Sequence, residues 1–195
     1  MTRVVPSKYN RRSALCLVGA FFVAGAAEAG NKGVPRTHGK ETMKVVPFES
    51  TQAAGTIFIY NDERLLFRTL GNGTAERYQI SVGRDGFTWT GVSYVGRKVK
   101  WPEWRPPAAM RARQPSLPAF VPAGPYNPLG ARALYLYSGK ADTLYRIHGT
   151  NSADTVGGYE TSGCFRLTNA DVINLFSQVP VGTKVVVQKS MGKGS

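Results

Sequence analysis

Few cysteines, few histidines and few acidic residues are the first features of this sequence. Its 195 residues include two cysteines, two histidines and 12 Asp or Glu, against 25 Lys or Arg. So few cysteines exclude a disulfide-built scaffold, and the paired-cysteine spacing of zinc sites is absent. The sequence also lacks a P-loop and a dinucleotide-binding fingerprint. We therefore expect no metal ion and no cofactor.

No apolar run is long enough to span a membrane, but the N-terminus carries a shorter one. "SALCLVGAFFVAGAA" falls short of the ~20 residues of a spanning helix and is followed by a small-residue site that ends at Ala29. The basic region before it comprises Arg3, Lys8, Arg11 and Arg12. This order predicts a signal peptide over residues 1–29, cleaved near Ala29. An uncleaved anchor is the alternative, and the sequence does not decide between export of the folded and the unfolded chain.

Export changes the meaning of the remaining cysteine. Cys16 lies within the apolar segment and leaves with it, so Cys164 is the one cysteine of the mature chain. A structural cysteine in a secreted protein normally has a partner in the same chain. Cys164 is therefore either an inert buried thiol or a reactive one.

The mature chain is strongly basic. Without residues 1–29 it has 21 basic and 11 acidic side chains, a net charge of +10. Such a charge often indicates nucleic-acid binding, but export and the lack of an aromatic RNA-binding motif argue against it. We expect an anionic polymer of the cell envelope as partner, with a merely solvated basic surface as the alternative. The sequence does not indicate an oligomeric state.

The chain divides into four segments. Residues 30–54 lack periodicity, contain His38 and predict a flexible spacer. Over residues 55–188, short β-prone runs separated by Gly and Asn turns predict a mainly-β, sandwich-like domain. "TIFIY" and "RLLFRTL" flank a turn and predict a hairpin, and Tyr78, Ile80 and Val82 alternate on one face. Residues 189–195 form a tail.

One short C-terminal helix and one proline-rich insertion interrupt this β pattern. Thr168 and Asp171 fit a capping box ahead of "VINLFSQV". The apolar stripe of this helix comprises Val172, Leu175, Phe176 and Val179. Residues 100–130 contain eight prolines and predict little regular structure. Long loops of this kind either form a lid or binding surface or pack on the domain as structural segments. The sequence does not decide between these two roles.

His148 and Cys164 are the candidates for chemistry. "YRIHGT" ends a β-prone run at His148, and a glycine-rich loop returns at "TSGC". A thiol needs a neighbouring base or a positive field to attack a carbonyl. Gly163 leaves space beside the thiol, and its amide with that of Cys164 could form an oxyanion hole. From the residues alone, a core histidine and a buried cysteine remain the more ordinary explanation.

The spacing of these residues resembles the catalytic signature of the L,D-transpeptidases, the YkuD-type domain. That signature is His-Gly-Thr, about a dozen residues, and then Ser/Thr-x-Gly-Cys-x-Arg. Matching positions are His148, Gly149, Thr150, Thr161, Gly163, Cys164 and Arg166. The likeness covers roughly residues 54–188. It departs at Phe165, where many members have an aliphatic residue, and at Thr161, where many have Ser.

The resemblance implies a cysteine acyltransferase that acts on peptidoglycan in the periplasm. Cys164 would be the nucleophile, His148 the general base and acid, and the Gly149 carbonyl would orient His148. Gly163 would stabilise the oxyanion, and Thr150, Thr161 and Arg166 would bind substrate. The donor would be a tetrapeptide stem, the acceptor a diaminopimelate amine, and the product a 3→3 cross-link. Carbapenems would acylate Cys164.

Several alternatives share the same residues. With water as acceptor the protein is an L,D-carboxypeptidase, and with a free D-amino acid it exchanges the stem terminus. With a protein lysine it attaches an outer-membrane protein to the wall. A papain-like protease is disfavoured because its cysteine precedes its histidine. A non-catalytic wall-binding module is the remaining alternative.

Overall fold

The computed structural model describes residues 39–192. The predicted signal peptide, His38, the first part of the predicted spacer and the last residues of the tail lie outside this range. The described strands are β1 (Lys44–Pro47), β2 (Ile57–Tyr60), β3 (Leu65–Thr69), β4 (Thr74–Gln79), β5 (Val82–Gly83), β6 (Gly91–Lys100), β7 (Arg132–Ser138), β8 (Ala141–His148), β9 (Tyr159–Thr161), β10 (Phe165–Arg166) and β11 (Lys184–Gln188). The described helices are α1 (Ala108–Arg113), α2 (Asn169–Gln178) and the short 3-10 helix Ala153–Thr155. Neither α-helix of this range is long and apolar enough to cross a bilayer.

Nine of these strands form one sheet in the order β1-β4-β3-β2-β11-β6-β7-β8-β10, and β5 pairs with β9. The predicted hairpin is present as antiparallel β2 and β3, with Ile57 opposite Arg68. The C-terminal strand β11 inserts between β2 and β6, parallel to the first and antiparallel to the second. The prediction of a mainly-β domain is confirmed.

The sheet curls until its two ends meet. Ser81 lies two residues after β4, near one end of the sheet, and Arg166 lies in β10 at the other end. Their backbones exchange two hydrogen bonds, with N···O distances of 2.8 and 2.9 Å. Both halves of the sheet therefore enclose a common core, which gives the sandwich-like packing that the sequence predicts.

The core forms where alternating apolar residues face inward. Tyr78, Ile80 and Val82 are fully buried, as the alternation predicts. The stripe of α2 packs into the same cluster through Val172 and Leu175. Full burial of one such aliphatic side chain contributes roughly 1.5–3 kcal/mol, so α2 is held mainly by this apolar face.

The N-terminus of α2 contacts residues of the predicted spacer. Thr168 caps α2 by accepting a hydrogen bond from the Asp171 amide at 3.1 Å. The carboxylate of Asp171, however, accepts hydrogen bonds from the amide and hydroxyl of Thr42, both at 2.9 Å. This contact holds the start of β1 against the domain, and residues 44–47 of the predicted spacer form strand β1 of the sheet. The sequence did not reveal the contact because 129 positions separate its partners.

The proline-rich segment contains one helix, where the sequence predicted little regular structure. None of the six residues of α1 is buried. A β-bridge joins Trp104 to Val121. Asn127 is 1% exposed and donates hydrogen bonds to the carbonyls of Val121 and Pro122. These contacts join the two ends of the segment to each other, whereas its middle lies on the surface.

Candidate active site

The register of two parallel strands places the candidate residues on one face. Phe165 of β10 pairs with Ile147 of β8, and Arg166 pairs with His148. Phe165 and Ile147 point into the core, at 1% and 0% exposure. Because side chains alternate along a strand, His148, Arg166 and Cys164 belong to the opposite face. Cys164 directly precedes β10, and extending this register by one residue makes it a diagonal neighbour of His148.

His148 is the last residue of β8 and is buried. Its Nδ1 lies 2.6 Å from the carbonyl oxygen of Gly149. A carbonyl can only accept, so Nδ1 carries the hydrogen and Nε2 is left as the acceptor. Burial lowers the pKa of His148 to about 3, and the positive charges of Arg166 and Arg146 act in the same direction. The imidazole is therefore neutral near pH 7 and can accept a proton at Nε2.

The thiol of Cys164 lies against the backbone of β8. Its Sγ is 3.9 Å from the carbonyl oxygen of Leu144. Burial raises the pKa of Cys164, whereas the backbone amide of Arg146 and the guanidinium groups of Arg146 and Arg166 lower it. Since the upward shift prevails, the resting pair is a neutral thiol and a neutral imidazole.

A tight turn precedes the thiol. Gly163 adopts φ +106°, and a Cβ at this position would collide with the Tyr145 ring. The hydroxyl of Thr161 donates to the carbonyl of Cys164 at 2.6 Å and accepts from the Gly163 amide at 3.2 Å. The Gly163 amide, expected in an oxyanion hole, thus already has a partner in this structure, and Thr161 holds the turn.

Trp89 supports this turn and was not singled out from the sequence. Its Nε1 donates to the Gly163 carbonyl at 3.1 Å, and its ring stacks on Tyr145 with centroids 4.7 Å apart. A stack of this kind fixes the orientation of both rings. No local sequence signal identifies Trp89, because the contact spans 74 positions.

Asn169 fixes the segment after His148 and was likewise missed. Its Oδ1 accepts from the amides of Thr150 and Ala131, and its Nδ2 donates to the Thr150 carbonyl. Thr150 is 2% exposed, and its hydroxyl accepts from the Ser152 amide. The contact of Thr150 with substrate stays a prediction. Thr150 anchors the backbone that carries Gly149.

Arg166 lies beside His148 and is partly buried. Its Nη1 donates to the Thr155 hydroxyl at 2.8 Å, whereas its buried Nε has no hydrogen-bond partner among the described residues. Burial lowers the pKa of Arg166, and Glu160 opposes the shift. This cation, beside the imidazole and near the thiol, provides a positive field at the site.

A partly exposed thiol lies on the same face as an imidazole whose tautomer a carbonyl fixes, an arrangement compatible with nucleophilic catalysis. The family model of the L,D-transpeptidase catalytic domain (YkuD) matches residues 54–187. The chain belongs to this family, as the spaced signature indicated. Family membership confirms the resemblance on which the sequence analysis relied.

Among known proteins, the chain is similar to Probable L,D-transpeptidase ErfK/SrfK of Escherichia coli K12. The two are 39% identical over 145 residues, which is 70% of this chain and 44% of that protein. The chain thus spans less than half the length of this relative.

Two solved structures share the fold. A probable carnitine operon oxidoreductase CaiA from Brucella melitensis is 39% identical, with a TM-score of 0.53 over 76% of this chain and 94% of that chain. An L,D-transpeptidase from Mycobacterium tuberculosis H37Rv is 15% identical, with a TM-score of 0.51 over 69% of this chain and 57% of that one. At 15% identity the second likeness concerns the fold alone.

Proposed function

We propose that this chain is an exported L,D-transpeptidase that forms a Cys164 thioester with peptidoglycan stem peptides in the periplasm. The observation that carries the proposal is the orientation of His148. The Gly149 carbonyl holds its Nδ1 at 2.6 Å, which directs the basic Nε2 away from that carbonyl. The thiol of Cys164 belongs to the same face of the sheet.

The first half-reaction transfers an acyl group to sulfur. Rotation about χ1 of Cys164 turns Sγ from the Leu144 carbonyl toward Nε2 of His148, which takes the thiol proton. The sulfur attacks the carbonyl carbon between diaminopimelate and the terminal D-alanine. The tetrahedral intermediate collapses, the C–N bond breaks, and His148 returns the proton to the departing D-alanine amine. A thioester remains on Cys164.

The intermediate needs donors for its oxyanion. The backbone amides of Gly163 and Cys164 are the candidates, because they precede and carry the nucleophile. In the resting structure the Gly163 amide is bonded to the Thr161 hydroxyl at 3.2 Å. We propose that this long bond is exchanged for the oxyanion when substrate binds, while Thr161 keeps its shorter bond to the Cys164 carbonyl.

In the second half-reaction an amine resolves the thioester. A diaminopimelate amine of a neighbouring stem attacks the thioester carbonyl and loses its proton to His148. The C–S bond then breaks, His148 returns the proton to the sulfur of Cys164, and the new amide is the 3→3 cross-link. Exchange of one amide for another through a thioester needs no nucleotide, which suits a compartment without ATP. Water, a free D-amino acid or the lysine of an outer-membrane protein are competing acceptors.

Two other assignments have less support. The oxidoreductase activity named for the Brucella protein is not our proposal, because an imidazole, a thiol and two arginines form an arrangement suited to acyl transfer. A non-catalytic wall-binding module would not require His148 to present Nε2 as an acceptor toward the thiol face.

The test is incubation of the purified chain with disaccharide-tetrapeptide, followed by mass spectrometry. We expect release of D-alanine, a covalent acyl adduct on the protein and a cross-linked dimer. Cys164→Ser serves as the matched control and should give neither the thioester nor the dimer. Monomeric tripeptide as the main product would identify a carboxypeptidase, and an unmodified substrate would refute the proposal.

A further inference from the structure

Four residues form one row across the outer face of the sheet, beginning at the thiol. Arg97 of β6 pairs with Tyr135 of β7, and Tyr135 pairs with Arg146 of β8. Cys164 falls opposite Arg146 when the β8–β10 register is extended by one residue. With strands roughly 4.8 Å apart, this arginine row spans about 14 Å from Cys164 to the backbone of Arg97.

Tyr135 holds both arginines of the row in place. The guanidinium carbons of Arg97 and Arg146 lie 3.9 and 4.1 Å from the centroid of its ring. Tyr135 is itself 7% exposed, so the ring is fixed by its surroundings. The guanidinium of Arg97 therefore lies above β7. It is nearer to the Cys164 thiol than the backbone of β6, which carries Arg97.

The two arginines differ in their charge partners. Arg146 makes a two-point ion pair with Asp142, at 2.6 and 2.9 Å. Arg97 is exposed, and within residues 39–192 it has neither an ion pair nor a hydrogen bond to its guanidinium. The charge of Arg97 helps to lower the pKa of Asp142, but both oxygens of that carboxylate are already bound by Arg146. One positioned cation in the row is therefore available to a ligand.

We propose that Arg97 binds the distal carboxylate of diaminopimelate in the acyl donor, so that the enzyme selects stems in which this group is free and not amidated. The inference rests on the proposed function, because it takes the reacting carbonyl to lie at Cys164. An extended diaminopimelate chain reaches about 7 Å from that carbonyl to its distal carboxylate. Adding a hydrogen bond of roughly 2.9 Å reaches the position above β7, about two strand spacings from the thiol.

Guanidinium is suited to this contact. Its planar fork pairs with both carboxylate oxygens, and stacking on Tyr135 holds the fork in one orientation before substrate arrives. A neutral amide at the same position offers one acceptor and no charge. The arginine row therefore distinguishes the two forms of the donor by charge.

The test measures binding without turnover. The full chain carrying Cys164→Ala is titrated by calorimetry with tetrapeptides whose distal carboxylate is free or amidated. We expect about tenfold tighter binding of the free form, loss of this preference in Arg97→Met, and partial retention in Arg97→Lys. Arg77→Met, which removes an arginine from β4, is the matched control and should keep the preference. A preference that survives Arg97→Met in a folded protein, checked by its thermal transition, would overturn the inference.

Turnover of the same two donors separates this inference from the proposed function. If the unmutated thiol forms cross-links and Arg97→Met leaves the ratio of kcat/KM for the two donors unchanged, the arginine row does not recognise the carboxylate. If the Arg97-dependent binding preference is present but neither donor acylates the thiol, the transpeptidase assignment fails and the carboxylate contact stands.

Discussion

The Nδ1 of His148 lies 2.6 Å from the carbonyl oxygen of the next residue, Gly149. Many catalytic histidines are oriented by a carboxylate, which also stabilises the protonated ring. A carbonyl fixes the tautomer but supplies no full negative charge. Together with burial, this leaves the imidazole neutral and the thiol protonated at rest. In the proposed mechanism the proton therefore moves only when substrate binds.

His148→Gln should slow acylation of Cys164 by a carbapenem at least ~100-fold, the usual scale for loss of a general base. Glutamine preserves much of the side-chain volume but cannot accept the thiol proton. Intact-mass analysis over time measures the adduct, and Cys164→Ala should abolish it. An unchanged acylation rate in His148→Gln would remove this residue from the mechanism.

Acid should destabilise the fold through His148. Its pKa is near 6.5 in the unfolded chain and about 3 in the folded one, so the unfolded state binds the extra proton between these values. Stability is therefore unaffected by this group above pH 6.5 and falls as pH decreases toward 3, by at most about 1.4 kcal/mol per unit. Urea unfolding at several pH values should show a shallower acid decline in His148→Gln. Parallel pH profiles for the two proteins would contradict the buried neutral state.

Trp89→Phe should slow acylation of Cys164 while the protein stays folded. The substitution keeps the ring on Tyr145 but removes the donor to the Gly163 carbonyl. We expect a stability loss of about 1 kcal/mol and a several-fold slower carbapenem adduct, because the turn that carries the thiol is less constrained. Tyr145→Phe, which keeps the stack, is the control. Equal acylation rates in all three proteins would show that the bond to Gly163 does not position the nucleophile.

Asn169→Ala should be strongly destabilising, by about 2–3 kcal/mol, since it leaves the buried amides of Ala131 and Thr150 without their acceptor. Asn151→Ala is the contrast, because Asn151 makes one exposed hydrogen bond to the Tyr126 carbonyl. Denaturant unfolding of both variants tests the difference. Comparable losses would mean that the bonds of Asn169 are replaced by water.

Replacement of residues 106–120 by a short Gly-Ser linker should lower turnover while the fold persists. Helix α1 buries none of its residues, so little core packing is lost. Its Arg113 lies over the Phe87 ring, centroid distance 4.9 Å, and the Phe87 carbonyl lies close to Gly163. We therefore predict that this segment forms one wall of the donor cleft. Full turnover of a folded deletion variant would refute this prediction.

Local patterns predicted much of the fold because their partners are close in sequence. The β2–β3 hairpin needs only a turn, and the stripe of α2 needs only helical periodicity. Strand β1 was missed because a residue far away in the sequence holds it. The amides of Thr42 and Met43, just before the strand, donate to the carboxylate of Asp171. Trp89 and Asn169 were missed for the same reason, since both act on backbone groups that a sequence pattern does not reveal.

By itself, the sequence determined the chemistry available to this protein. The sequence singles out His148 and Cys164 as candidates, because their spacing matches a signature that the chain shares with a single family. Only the tertiary structure decided the protonation state and the neighbours of the pair. Burial depends on the curl of the whole sheet, and the row from Cys164 to Arg97 depends on the register of four strands that meet only after folding.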